Sequence, residues 1–532
     1  MHKHLSISLL AIFFFFQAFS QDSLSFELLL KPKVIARLPA LHSYSYGQHE
    51  GKWLIVGGRL DGLHARQPFN AFPSLSNHKN ILVVDIQGDM VYSKSILELQ
   101  NAKKEQLQAS NMNFYQDGNQ LIIAGGYAFA ASAGGHITFP NLTVIDVSGV
   151  INAVINNDDI SPFIKQIEDE RFAITGGAMA KIGEELMIVG GHRFAGRYNP
   201  MNNPTFTQAY TNEIRKFKLE LSGNLIEITD YSTINNPIHL HRRDYNLVPQ
   251  IFDQEDEAYM ISSGVFQLNA DLPFLYPVEI RQDGINPRLN FNQYLSHYHS
   301  PGLTLYDEHE KINQSIFFGG MGQYYYQDGQ LIQDDLVPFV KTISMVTRFE
   351  NDSLAELLLP IEMPALKGAS AEFIPNNLLP HFNNGVIKIS QTEGDSVLLG
   401  YIYGGINSNT LNPFAANQTN QTSADANVYE IIMVRRNEEE PLKIQALPGN
   451  SSFDFSFYPN PNAGIINIEF QLPYKAQCDY FITSLEGKII QEGSFNKTAR
   501  GRNKKQIITS SPNQHQTLML TLIFDNKQYA SK

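Results

Sequence analysis

The sequence predicts an all-β fold, a large body of about six four-stranded units followed by a small β-sandwich. Three observations lead there. Short apolar stretches closed by glycines recur along the chain. After each comes a β-branched or aromatic run bounded by turn residues, the pattern of a strand. No long amphipathic helical pattern interrupts them.

The chain opens on an address. Lys3 supplies a positive start, Leu5 to Phe19 is one apolar run, and small Ser20 precedes polar Gln21. That order reads as a secretory signal over residues 1–20. The run is shorter than the roughly 20 residues of a membrane span. No other stretch approaches that length, so the mature chain is expected to carry no span.

The repeats come next. Trp53 to Gly58, Leu121 to Gly126, Leu186 to Gly191, Ile316 to Gly320 and Tyr401 to Gly405 each end in a glycine pair. Tyr259 to Gly264 is a degenerate copy ending Ser-Ser-Gly. Asn80 to Gly88 aligns with Asn141 to Gly149 as the run that follows, with looser copies at Asn212, Tyr276, Ile343 and Asn427. The Asp-x-x-Gly ending of the two aligned runs reads as a hairpin turn. One further short run precedes each glycine pair, giving about four strands per unit.

Six four-stranded units with a glycine pair closing the second strand resemble the kelch-type β-propeller, over roughly residues 25 to 445. A sharp backbone turn beside the next blade leaves no room for a Cβ, which accounts for the glycines. The chain departs from that family in lacking a Trp in each blade, since Trp53 is its one Trp. Closure joins the two chain ends in one blade. Phe26 to Arg37 and Pro441 to Leu447 compete for that outer strand.

A polar, turn-rich stretch from Asn437 to Asp454 marks a boundary. The expected organisation is a propeller over 21–445, a linker over 446–454 and a last domain over 455–532. Tyr458-Pro459-Asn460-Pro461, then Gly464 and an alternating strand, open that domain. With the Gly-Lys turn at 487–488, this order resembles the type A sorting domain of the type IX secretion system of Bacteroidetes-like bacteria. The resemblance implies a secreted or surface-displayed protein that engages the secretion machinery. The Gly-x-Tyr common before the final strand of such domains is replaced by Gln516-Thr517.

Composition narrows function. The 532 residues are 43% hydrophobic and 17% charged, which excludes a disordered chain. A net charge of −13 argues against nucleic acid as a partner. Cys478, the one cysteine, excludes an intrachain disulfide, a Cys-based metal cluster and a lipid anchor. Its position also excludes the Cys–Tyr cofactor of kelch-like copper radical oxidases.

Chemistry is expected on the long loops after the glycine pairs and on the connectors into the next unit, since loops on a rigid scaffold concentrate function. The candidate ligand-binding residues are His64, Arg66, His136, His192, Arg193, Arg197, Arg242, Arg243, His297, His299 and Tyr324. Arg binds carboxylates bidentately, and aromatic rings stack on sugar faces. His239-x-His241 and His297-x-His299 could hold a metal on alternate strand positions, but structural roles suit them better. No catalytic motif, calcium loop or phosphate loop occurs, so no catalytic residue, cofactor or metal is assigned. The expected function is binding of a glycan or an extracellular protein at the channel mouth. The alternative is a cofactor-free enzyme on an acidic sugar, in the manner of kelch-like sialate mutarotases.

Overall fold

The computed structural model describes residues 23–200, 205–223, 225–252, 256–436, 442–443, 445–447, 455–458, 464–472, 477–484, 488–495, 498–499, 501–509, 518–524 and 527–531. The signal segment 1–20, linker residues 448–454, and Pro459, Asn460 and Pro461 lie outside the described residues.

The fold is all-β. Six antiparallel sheets follow one another along the chain. Sheet one is Ser45–His49, Lys52–Val56, Asn80–Asp85 and Met90–Ser95. Sheet two is Asn113–Asp117, Gln120–Ala124, Asn141–Asp146 and Ile164–Glu168. Sheet three is Ala178–Ile182, Glu185–Val189, Glu213–Ser222 and Leu225–Asn235. Sheet four is Asn246–Ile251, Glu257–Ser262, Val278–Arg281 and Gly284–Pro287. Sheet five is built on Gly302–Asp307, Ile312–Met321, Phe339–Arg348 and Leu354–Glu362. Sheet six is Glu372–Pro375, Ser396–Tyr403, Val428–Arg435 and, from the start of the chain, Phe26–Lys33. The amino-terminal strand is therefore the outer strand of sheet six, paired with Val428–Arg435. Of the rival segment, Leu442–Lys443 pairs with Ser23–Leu24, and Gln445–Ala446 edges sheet five.

The middle strands are nearly continuous apolar runs because both their faces are covered. Leu54 and Val56 pack toward sheet two, while Trp53 and Ile55 pack toward sheet six. Such apolar seams recur between sheets two and three, three and four, four and five, and five and six. Six seams join six sheets in a cycle. Trp53 sits in the seam of sheets six and one, edge-on to Tyr401 at 5.2 Å.

The seam between sheets four and five has a small apolar cluster and adds a buried ion cluster. Fully enclosed Glu279 meets Arg288 at 2.5 Å, Arg281 at 3.2 Å, and Arg348. Arg281 and Arg348 also lie over the ring of Phe252, at 3.6 and 4.4 Å.

Two sets of backbone hydrogen bonds run between the sheets. At five of the six junctions the last glycine of the stretch donates its N–H to a carbonyl just ahead of the next sheet: Gly58 to Ala109, Gly126 to Ile174, Gly191 to Arg242, Gly264 to His297 and Gly405 to Leu41. In the five true pairs the first glycine has no room for a Cβ. A Cβ on Gly125 would lie 1.8 Å from the Ile174 carbonyl, and its φ is +68°. In the degenerate copy, Ser263 takes this place at φ +59°.

The second set is a closed ring. The N–H of Ser43 donates to Ser370, Ser370 to His299, His299 to Asp244, Asp244 to Gly176, Gly176 to Asn111, and Asn111 back to Ser43, at 2.7–3.2 Å. Each ring residue leads into the first strand of its own sheet. These strands line one channel of about 460 Å³.

One turn departs from expectation. Asp85 accepts from Gly88 N–H at 2.9 Å, as a hairpin requires. Asp146 accepts from Gly149 N–H at 2.8 Å, but there it caps a helix, Val147–Asn156. Val147, Val150, Ile151 and Val154 bury one helical face, so the 3.6-residue period outweighs the turn motif.

Beyond the cycle, Phe455–Tyr458, Ile465–Leu472 and Gly501–Ile508 form a three-stranded sheet. Ile489–Phe495, Cys478–Ser484, Leu518–Phe524 and Lys527–Ser531 form a four-stranded one. They share a core around Ile468, Phe470, Ile482 and Leu522. Cys478 is a free thiol within that core, pushed up by burial.

Two stability effects are expected in denaturant unfolding. Glu279→Ala leaves buried guanidinium groups uncompensated and should cost about 3–5 kcal/mol. Gly125→Ala forces a strained φ and a carbonyl clash, and should cost at least about 1–3 kcal/mol.

Candidate functional site

Residues before the ring meet residues after the glycine pairs. His42 bridges Arg59, Ser110 bridges Tyr127, Thr175 bridges His192, and Arg243 bridges Val265. The connectors and the long loops are thereby fixed to each other beside the ring. Hairpins of the loops stand on this face: Tyr127–Ala130 with Gly135–Thr138, and His192–Gly196 with Phe206–Tyr210.

Aromatic rings tie loops of sheets one, two, three and six together. His64 stacks on Phe72 at 4.4 Å and meets Tyr198 and Phe414 edge-on at 5.1 and 5.3 Å. Tyr198 stacks on Phe206 at 5.6 Å, and Phe206 on Phe194 at 4.9 Å. Two arginines border this shelf. Arg66 lies over Phe414 at 5.6 Å and donates to the Ala415 carbonyl at 3.0 Å. Arg197 donates to the Phe69 carbonyl at 3.0 Å and approaches His136 Nδ1 at 3.4 Å. Both are half-buried, and neither meets a carboxylate among the described residues. Arg59 differs, since Asp61 holds it at 2.5 and 2.9 Å. Burial pushes Asp61 up, but the hydrogen bonds from Arg59 and the nearby His42 ring, 3.9 Å away, outweigh it and hold the carboxyl at about 2.

The histidines of this face are neutral. Burial pushes His64 and His241 down to about 4, and carries His136 and His192 down as well. His136 Nε2 lies 2.7 Å from the Phe72 carbonyl, so it donates there and Nδ1 is left as an acceptor. His192 Nδ1 pairs with Gln208 at 2.6 Å.

Arg243 reaches from the ring toward the same face. Its Nε donates to the Tyr210 hydroxyl at 3.1 Å, its guanidinium lies 5.1 Å over Phe266, and it pairs with Asp244. His241 stacks on Tyr210 at 3.8 Å.

Other candidates sit elsewhere. Arg193 is exposed and pairs with Glu170 at 2.6 Å. Arg242 is fully buried, donating to the carbonyls of His239, Ser263 and Tyr276 between the rings of Phe274 and Tyr276. His297 is buried with both nitrogens engaged, Nε2 by the Gln293 carbonyl and Nδ1 by Gln323 N–H. Burial pushes it down to about 4. His239 turns to the Tyr276 hydroxyl and His241 to Asn212, so the two do not converge. Tyr324 packs edge-on against Tyr294 at 5.0 Å. In the last domain, the hydroxyl of exposed Tyr458 donates to Glu469 at 2.7 Å, and Gly464 turns at φ +97°.

His299 behaves unlike the others. It is a ring member, and its Nε2 lies 3.4 Å from Glu372. Burial pulls it down, but the charge and hydrogen bond of Glu372 and the charge of Asp244 push it above 6.5. Asp244, His299 and Glu372 all line the channel.

The sequence reading passed over Asp244, Glu372 and Tyr210. A positional signal existed for the first. Ser43, Asn111, Gly176, Asp244 and Ser370, all residues that tolerate a left-handed backbone, stand just ahead of the first strands, and all have positive φ.

Residues 456–514 match the family described as the secretion system C-terminal sorting domain. This tail marks the chain for export by the type IX secretion system, to the extracellular space or the cell surface. No curated protein matches the chain. A solved structure titled "Structure of YjhT" is similar over 78% of this chain and 100% of its own, with 11% identity and a TM-score of 0.43.

The His299–Glu372 pair sets a pH dependence. His299 has a raised folded pKa, so its stabilisation is complete below 6.5 and is lost as pH rises through the folded value. Glu372→Gln should therefore cost more stability at about pH 5 than at about pH 9. NMR titration should show the His299 pKa falling in this variant.

Proposed function

We propose that residues 21–445 form a six-bladed kelch-like propeller, displayed or released outside the cell, that binds an acidic glycan at its loop face. Residues 1–20 act as the signal, 446–454 as the linker and 455–532 as the sorting domain. The seams and the ring, each running through six sheets, support the propeller reading.

One observation carries the ligand class. Arg66 and Arg197 border an aromatic shelf, and their guanidiniums contact carbonyls rather than carboxylates. A sugar carboxylate would displace only weak neutral acceptors and gain charge-assisted hydrogen bonds. His64, Tyr198 and Phe414 offer ring faces and edges to the sugar. Arg243, with Asp244 and Tyr210 already on it, would serve as a polar wall. Arg193 and Arg242 fall outside this site.

A second reading is a cofactor-free enzyme on an acidic sugar. Its support is His299 between Glu372 and Asp244, an acid–base group a short way below the mouth. Sialic acid anomerisation followed by NMR would separate the two readings, since a binding protein would leave the rate unchanged.

Calorimetry with acidic and neutral oligosaccharides tests the binding reading. Arg66→Ala and Arg197→Ala should each weaken an acidic glycan about tenfold, the ~1.4 kcal/mol of one lost charged contact. Arg193→Ala should change nothing. No affinity for any acidic glycan at millimolar concentration would end this reading. Removal of residues 456–532 should leave the protein unexported, as read by cell fractionation.

A further inference from the structure

The channel on the other side of the ring has chemistry opposite to the loop face. Its volume of about 460 Å³ is that of a small-molecule site. Tyr46, Phe114, Ala178 and Leu247 supply apolar and aromatic wall, and Gln48 and Gln116 supply neutral polar groups. No Lys or Arg lines it among the described residues. Its carboxylates, Asp244 and Glu372, both stand at the ring end.

The two carboxylates are not equally satisfied. Asp244 has Arg243 as a permanent counter-ion. Glu372, 13% exposed, has among the described residues the imidazole of His299 at 3.4 Å as its one ionisable partner. When that imidazole loses its proton, a largely buried carboxylate remains without a cation, at the end of an aromatic-walled cavity. Burying such a charge unpaired is costly. A cation brought by a ligand would relieve that cost, and its apolar part would cover the walls.

We propose that the channel binds a small organic ammonium compound, with its cationic head on Glu372 at the ring and its apolar body between Tyr46, Phe114 and Leu247. The site differs from the loop-face site in position and in charge preference. Aromatic faces favour a cation as well, through their quadrupoles. The proton on His299 and the ligand compete for Glu372, so binding strengthens as pH rises. The groups facing His299 agree with this. Glu372 and Asp244 attract its proton, Arg243 is already spent on Asp244, and Tyr44 and Tyr46 are pushed too high by burial to ionise.

Calorimetry on the full chain with tyramine and its neutral counterpart 4-ethylphenol tests the proposal. At about pH 8 tyramine should bind one site at least about tenfold tighter than 4-ethylphenol, and the advantage should shrink toward pH 5.5 as His299 gains its proton. Glu372→Gln should remove the advantage and keep the weak binding of 4-ethylphenol, which also shows that the variant folds. Leu247→Trp, which fills the channel, should remove both. Equal affinity for the two probes overturns the proposal. So does an advantage that survives in Glu372→Gln, or no binding of tyramine at millimolar concentration. Binding of an acidic glycan at the loop face is read in a separate titration, and its outcome bears only on that face.

Discussion

The ring of six backbone hydrogen bonds joining Ser43, Ser370, His299, Asp244, Gly176 and Asn111 is the constraint on which the site depends. Each member must donate to one neighbour and accept from the other. To do both, five of them adopt a left-handed backbone, which L-residues reach only at a cost unless they are Gly, Asn, Asp or similarly small. The ring thus restricts which residues stand at the channel opening. It also holds the side chains of Asp244 and His299 beside each other, since the His299 N–H donates to the Asp244 carbonyl.

The ring divides two electrostatic environments. On the loop side, Arg66 and Arg197 meet no carboxylate among the described residues, and burial keeps the histidines neutral. On the channel side the acidic lining residues among those described are Asp244 and Glu372, and they push His299 toward its charged form. Net charge reveals neither side. A chain of −13 overall still places Arg66 and Arg197 together on the loop face, and such local charges act over short distances at physiological ionic strength.

Much of the scaffold was legible in the sequence because its chemistry is local. Glycine pairs mark the strand ends where a Cβ would strike the next sheet, and the degenerate Ser263 copy still occupies its place. The helix at Val147 was missed because Asp-x-x-Gly caps a helix as readily as it closes a hairpin. The site was less legible. Arg242 and Arg243 are neighbours in sequence, yet one is enclosed by three carbonyls and the other reaches the loop face. His297 and His299 divide the same way, into a packed group and a ring member. Glu372 carries no motif at all. Its role arises from a histidine contributed by another sheet, a pairing that no local pattern encodes.

Residue-resolved amide hydrogen exchange under native conditions tests the closed ring most directly. The six amides of Ser43, Asn111, Gly176, Asp244, His299 and Ser370 should exchange only through global unfolding, at a common rate matching the core amides of Leu54 and Ile123. Exchange of any of them at the rate of a surface loop would contradict a closed ring, and with it the placement of Asp244, His299 and Glu372.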